Sequence, residues 1–191
     1  MANEKNQQAD PGKFVTGTLR ASYVHLVEPK AFEDEKPKYS VTLLIPKEHP
    51  DVAKIEKIIK KLYDANAENF KGIKMTSKNF NYPLRDGDEY FEEHPENPEY
   101  EGHMYIKSSS VSRPQLFDAA KNEIFDPAEI YSGAWIRASL KFFAYHEKGK
   151  GVSSFLNSVM FIKAGERFGS GGAADPDDFD QDDSTDFDDL I

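Results

Sequence analysis

AWIRASLKFFAY (residues 134–145) and VSSFLNSVMFIK (residues 152–163), joined by HEKGKG, decide the fold. In the first run every even position is apolar: Ala134, Ile136, Ala138, Leu140, Phe142 and Ala144. The odd positions, Trp135, Arg137, Ser139, Lys141, Phe143 and Tyr145, mix cations with rings. Strand side chains point to opposite faces in turn, so this run predicts a strand with one face on a core and one outward. Glu147 to Gly151 is a turn-rich link of hairpin length, and the two runs read as antiparallel partners.

Working outward, Phe14 to Val27 is rich in Val, Thr, Leu and Tyr and predicts a strand ending before Pro29. Glu33 to Pro37 is a charged turn. Lys38 to Ile45 alternates, with Tyr39, Val41, Leu43 and Ile45 on one side and Lys38, Ser40 and Thr42 on the other. These two strands pair antiparallel. Pro50-Asp51 opens a helix over about residues 50–68, with Val52, Ile55, Ile58, Ile59 and Leu62 at helical spacing. Phe70 to Tyr100 is punctuated by Gly72, Pro83, Gly87, Pro95 and Pro98 and reads as irregular. His103 to Ser109 is a further strand, and Gln115 to Phe125 a hairpin turning at Ala119 to Asn122. The expectation is a mainly β chain: five or six strands with one inserted helix and long loops, which fits a small barrel.

Charge is sorted along the chain. The net charge is −10, yet nine aspartates lie in Ala173–Ile191 and eight acids between Asp86 and Glu101, stretches without lysine or arginine. The remainder holds 17 acids against all 24 basic residues and is mildly basic. So acidic a tail cannot enter a core and is expected to stay solvated. Three segments follow: a disordered leader (1–12), one domain (13–168) and a flexible acidic tail (169–191). Phe179 and Phe187 within the tail make it a rough imitation of a nucleic-acid strand, with carboxylates for phosphates and phenyl rings for bases. The chain has no cysteine, which excludes disulfides and thiolate metal sites. It shows neither signal peptide nor membrane span, so a cytoplasmic protein without membrane contact is expected.

The outward face of 134–145 suits single-stranded nucleic acid, where Lys and Arg follow phosphates and flat rings stack on unpaired bases. The strand at His103 repeats the theme with Tyr105 and Lys107, and Arg20 and Lys38 lie on the polar faces of the first two strands. Stacking candidates are Trp135, Phe143, Tyr145 and Tyr105. Phosphate candidates are Arg20, Lys38, Lys107, Arg137, Lys141 and Arg113. The competing reading buries the rings as ordinary core.

PLRDGD (83–88), YSGAWIRASLKFFAY (131–145) and KGVSSFLNSVMFIKAGE (150–166) resemble the phage-encoded single-stranded DNA-binding proteins, a family with an OB-type barrel and an acidic C-terminal tail. The resemblance runs through residues 13–168. It implies a protein that coats unpaired DNA during phage replication and recombination, in the host cytoplasm, with single-stranded DNA as partner and no cofactor. It also implies a tail that competes with DNA and recruits replication or recombination enzymes through Phe179, Asp186, Phe187, Asp188, Asp189, Leu190 and Ile191. Related tails often finish on an aromatic residue, whereas this one ends in Leu190-Ile191. A homodimer formed by tail exchange is compatible with the sequence.

Two other functions compete with this reading. A metal-dependent nuclease could use Asp86, Asp88, Glu89, Glu92 and Glu93 as Mg²⁺ ligands, but no second cluster on a regular element would fix their geometry. A non-enzymatic phage protein-interaction module would bind protein through the same rings. The histidines at 25, 49, 94, 103 and 146 lack zinc spacing, and Gly149-Lys150-Gly151 is too short for a phosphate loop. The chain therefore reads as a binding protein with no catalytic residue and no metal.

Overall fold

The computed structural model describes residues 12–31, 36–126 and 129–169. The leader and tail, with all seven partner-binding candidates, lie outside the described residues except for Gly12 and Gly169, and so does most of the turn at 33–37. The strands are β1 (Lys13–Val15), β2 (Leu19–Lys30), β3 (Lys38–Pro46), β4 (Arg85–Asp86), β5 (His103–Ser110), β6 (Gln115–Phe117), β7 (Trp135–Tyr145) and β8 (Gly151–Lys163). The helices are α1 (Pro50–Ala65), α2 (Ala67–Phe70) and α3 (Gly87–Glu93), with a 3-10 turn at Pro98–Tyr100.

Five strands close a ring: β2 beside β3, then β5, β8 and β7, which returns to β2. All these pairs are antiparallel except β5–β8. Counted along the chain, the ring follows first, second, third, fifth, fourth, and this is an OB-like barrel. Closure is uneven. Eleven residue pairs join β7 to β8, but only Leu19↔Ile136 and Arg20↔Trp135 join β2 to β7, and Ser109↔Phe155 alone joins β5 to β8. Three short strands extend these seams: β1 shares with β2 one edge of β7, β6 runs parallel on the edge of β8 that also meets β5, and β4 pairs with β5 on the edge away from β3.

The core follows the alternation. Ile136, Ala138, Leu140 and Phe142 of β7 are buried against Val41, Leu43 and Ile45 of β3 and Ile106 of β5. Full burial of such side chains contributes roughly 1.5–3 kcal/mol each. Helix α1 starts with proline, is capped by His49, and turns Ile55 and Ile59 into the same core beside β7 and β8. Gly151 starts β8 because Asn81 crosses there: a Cβ would meet the Asn81 carbonyl at 2.5 Å.

Four elements differ from expectation. The single strand at 14–27 is two, broken where the buried Asp51 carboxylate accepts the Gly17 N–H at 2.6 Å. The second strand runs through Pro29 to Lys30, where pairing has thinned to Lys30↔Lys38 and a missing N–H disturbs little. The helix is α1, interrupted at Asn66 and followed by the one-turn α2, which carries helical backbone to Phe70, past the expected end near residue 68. The stretch 70–100 is not wholly irregular: Asp86 accepts the Asp88 N–H at 2.9 Å and caps α3, an element too short to show a period. At 115–125 the chain folds back as expected, with Ile124 N–H donating to Leu116 O and Asp118 N–H to Asn122 O.

Candidate nucleic-acid interface

The outer faces of β2, β3 and β5 form the floor of a cleft of about 670 Å³. Register fixes the floor: Thr42 lies opposite Ser22 and Lys107, and Ser40 opposite His25 and Ser109. Cross-strand neighbours share a face, so one surface carries Ser40, Thr42, His25 and Lys107. Between Ser22 and His25 the register slips by one residue, a β-bulge, and Tyr23 takes φ +44°. A left-handed backbone is uncommon for a tyrosine. Here it turns Tyr23, 44% exposed, toward the cleft beside Ser22 and His25 instead of into the core.

The second wall is the acidic segment. Lys47 at the end of β3 donates to Asp86 at 2.8 Å and Asp88 at 2.6 Å, which holds α3 over the sheet. Hydrogen bonding raises the Lys47 pKa and lowers that of Asp88, which also accepts the Gly102 N–H. Tyr90 of α3 and Tyr100 of the 3-10 turn thereby meet Tyr105 of β5. Their ring centroids lie 4.4 Å (Tyr90–Tyr100), 5.2 Å (Tyr100–Tyr105) and 5.5 Å (Tyr90–Tyr105) apart. Tyr23 completes the group, its hydroxyl 3.2 Å from that of Tyr90 and donating to Asn97 Oδ1. Tyr100 is buried and donates to Ser22 Oγ at 3.4 Å; burial pushes its phenol up to about 12. It is the support, while Tyr23, Tyr90 and Tyr105 keep ring surface facing out.

Cations line the remaining side. Lys30, Lys107 and Arg85 are exposed at the cleft. His25 sits half-buried among them, its pKa lowered by burial and then by the charges of Lys30 and Lys107. Past Asn81 and Arg85 the cleft continues into a second hollow of about 410 Å³, bordered by Lys78, Lys150 and Tyr145. The whole path is neutral or positive on its floor, with rings at intervals, and can take a chain of phosphates with unpaired bases.

The candidates read from sequence divide between this cleft and other faces. Tyr105 and Lys107 line the cleft, Tyr145 lies on its extension, and Lys38 stands opposite Lys30 at the far end of the β2–β3 ladder. Arg137, Lys141 and Phe143 are exposed on the outer wall of β7. Trp135 has the Arg20 guanidinium 5.1 Å from its ring and the Lys163 ammonium 5.3 Å from it. Arg20 also lies 4.5 Å over Phe168 and donates to Glu166 O at 2.7 Å. Arg113 is exposed on the loop after β5, near Glu123 and Phe125. Sequence reasoning missed Tyr23, His25, Lys30, Arg85 and Tyr90. The one available signal was the aromatic content of the acidic segment.

Asp86 and Asp88 are engaged in capping α3, pairing with Lys47 and holding Gly102. No cluster of three acids or histidines able to hold a metal occurs among the described residues. No helix among them is long and apolar enough to cross a membrane.

Fold and site together define an OB-like domain with an open cleft of rings and cations. Residues 12–191 match the family model described as Enterobacter phage Enc34, ssDNA-binding protein, and the chain belongs to that family. A protein of Acyrthosiphon pisum secondary endosymbiont phage 1, described as putative protein p50, is 31% identical over 178 residues, 88% of this chain and 92% of that one. The fold is similar to the single-stranded DNA-binding protein from bacteriophage Enc34 in complex with ssDNA, with TM-score 0.69, 30% identity, and 83% and 90% of the two chains covered. It also matches gp2.5, a single-stranded DNA-binding protein encoded by bacteriophage T7, with TM-score 0.58. At 18% identity over 90% and 96% of the chains, that likeness concerns the fold alone.

Proposed function

We propose that this chain binds single-stranded DNA by laying it through the cleft between the β2–β3–β5 face and α3. The carrying observation is the set of outward-facing Tyr23, Tyr90 and Tyr105 rings beside Lys30, Lys107 and Arg85. Bases stack on the tyrosines, each stack contributing about 1–3 kcal/mol regardless of base identity. Phosphates run along the cations and on past Arg85 toward Lys78, Lys150 and Tyr145. Of the residues singled out from sequence, Tyr105, Lys107 and Tyr145 contact the strand and Lys38 its entry. Arg20 and Trp135 brace the barrel wall. Arg137, Lys141, Phe143 and Arg113 lie off the main path. Duplex DNA has no unpaired ring to offer and binds far more weakly.

The biological role that follows is coating of unpaired DNA during phage replication and recombination, in the host cytoplasm and without catalysis. The aspartate-rich tail competes with DNA for the cationic cleft and, when displaced, recruits replication proteins. Deleting residues 173–191 then tightens oligonucleotide binding, most at low salt.

Fluorescence titration with oligo(dT), duplex DNA and RNA at two salt concentrations tests this reading. Tyrosine-quenched, salt-sensitive binding of oligo(dT) with weak duplex binding is expected. Salt-independent or equal binding to duplex would remove the proposal in favour of a protein-interaction role.

A further inference from the structure

We infer that the tip of the acidic tail, residues 186–191, docks in an apolar groove on the wall opposite the cleft-forming strands, made by β1, β7, β8 and β6 of the same chain. This goes beyond the proposed function: it concerns where the apolar residues of the tail sit, not what the cleft binds.

The groove follows from register. Val15 lies opposite Ser139, Ser139 opposite Ser158, and Ser158 opposite Gln115, which makes one cross-strand row with two small residues at its centre. The next row runs Arg137, Met160, Phe117. Small serines flanked by Val15 on one side and by Met160 and Phe117 on the other leave a hollow of about 390 Å³. Val15 is 49% exposed there. Arg137 and Lys121 stand at its rim, so the lining is apolar with a cationic border.

The sequence Asp186-Phe187-Asp188-Asp189-Leu190-Ile191 is the converse: three apolar side chains among three carboxylates. Apolar contact and opposite charge select this segment over the rest of the tail, whose only large apolar side chain is Phe179. Reach is adequate. Phe168 lies 4.5 Å from the Arg20 guanidinium, and Arg20 lies 5.1 Å from Trp135 on the same β7 face as Arg137. Two residues along a strand span about 7 Å, so the groove begins within about 20 Å of where the described chain stops. At the dimensions of a Gly-rich coil, the 18 residues from Gly169 to Phe187 would span roughly 23 Å. Leu190 and Ile191 are thereby withdrawn from solvent until a partner with a better pocket takes them.

The test compares methyl spectra of the full chain with those of the F187D/L190D/I191D variant at several protein concentrations. Shifts at the Val15 and Met160 methyls, unchanged by dilution and absent at Thr42 in the cleft, are expected. In a Met160→Glu background the tail substitutions should produce no further shift at Val15. Unmoved Val15 and Met160 methyls overturn the proposal. So do shifts at Thr42 alone, which put the tip in the cleft, and concentration-dependent shifts, which make the wall a contact between copies. A well-dispersed Thr42 region in every variant shows that each is folded.

Discussion

The β7 wall and the cleft use the same ingredients and differ in depth. On the β7 wall, Phe143 (41% exposed) and Phe155 of β8 (39% exposed), which lies across from Lys141, stand on an open face, and Trp135 is covered by two cations. In the cleft four tyrosines from separate segments sit within contact of one another under α3, with lysines beside them. Strand alternation produces an outward face with rings and charges almost automatically. Concavity requires a second layer, and here it depends on Lys47 drawing an acidic, otherwise repulsive segment over the sheet.

The sharpest contrast is within β7 itself. Phe142, 1% exposed, packs in the barrel, while its neighbour Phe143 does not. Phe142→Ala should cost about 3–5 kcal/mol in urea unfolding, and Phe143→Ala within about 0.5 kcal/mol, as for a surface site. Equal losses would mean that Phe143 is also covered and that the β7 wall is not an open face. Next in size is stacking. Tyr90→Ala should weaken oligo(dT) binding by about 1–3 kcal/mol, roughly 5- to 150-fold. Trp135→Ala should act mainly in calorimetry, lowering Tm while affinity changes little. The reverse assignment would move the DNA from the cleft to the wall.

The barrel was legible because its strands obey period two: β3 and β7 each show one clean apolar face, β5 begins one with Met104 and Ile106, and the KGKG link marks the β7–β8 turn. Part of the candidate cleft was legible by the same rule, since Tyr105 and Lys107 occupy outward positions of a readable strand. Tyr23 was hidden because the β-bulge breaks the alternation at that residue. Tyr90 was hidden because its helix is two turns long and surrounded by prolines and acids that resemble a solvated loop. What makes it structural is long-range: Lys47 pairs with Asp86 and Asp88, and Arg85–Asp86 pair with β5, and nothing local in the sequence announces such partners.

Salt dependence separates the two regions more finely. Each lysine that neutralises a phosphate on a single strand contributes about 0.7 to the slope of log K against log salt. Lys30→Gln with Lys107→Gln should lower that slope by about 1.4. Arg137→Gln with Lys141→Gln should leave it within error in a chain lacking residues 173–191, where tail competition cannot intrude. A comparable drop for the wall pair would show that the strand wraps from the cleft onto β7.

The smallest expected effect belongs to His25, which has no counterpart on the wall. Burial and the charges of Lys30 and Lys107 lower its pKa from the ordinary 6.5, so near pH 7 it is neutral. A depressed folded-state pKa means that its contribution to stability is present above about pH 6.5 and is lost as pH falls further. Phosphates entering the cleft offset both lysines and favour the imidazolium, so binding takes up a proton. Affinity for oligo(dT) should therefore rise as pH falls from 7.5 to 5.5, by a factor of about ten at most per unit because one proton is involved. His25→Gln should flatten the profile while leaving the pH 7.5 affinity nearly unchanged. A wild-type profile already flat would place the phosphates away from Lys30 and Lys107, and the cleft would lose its advantage over the wall.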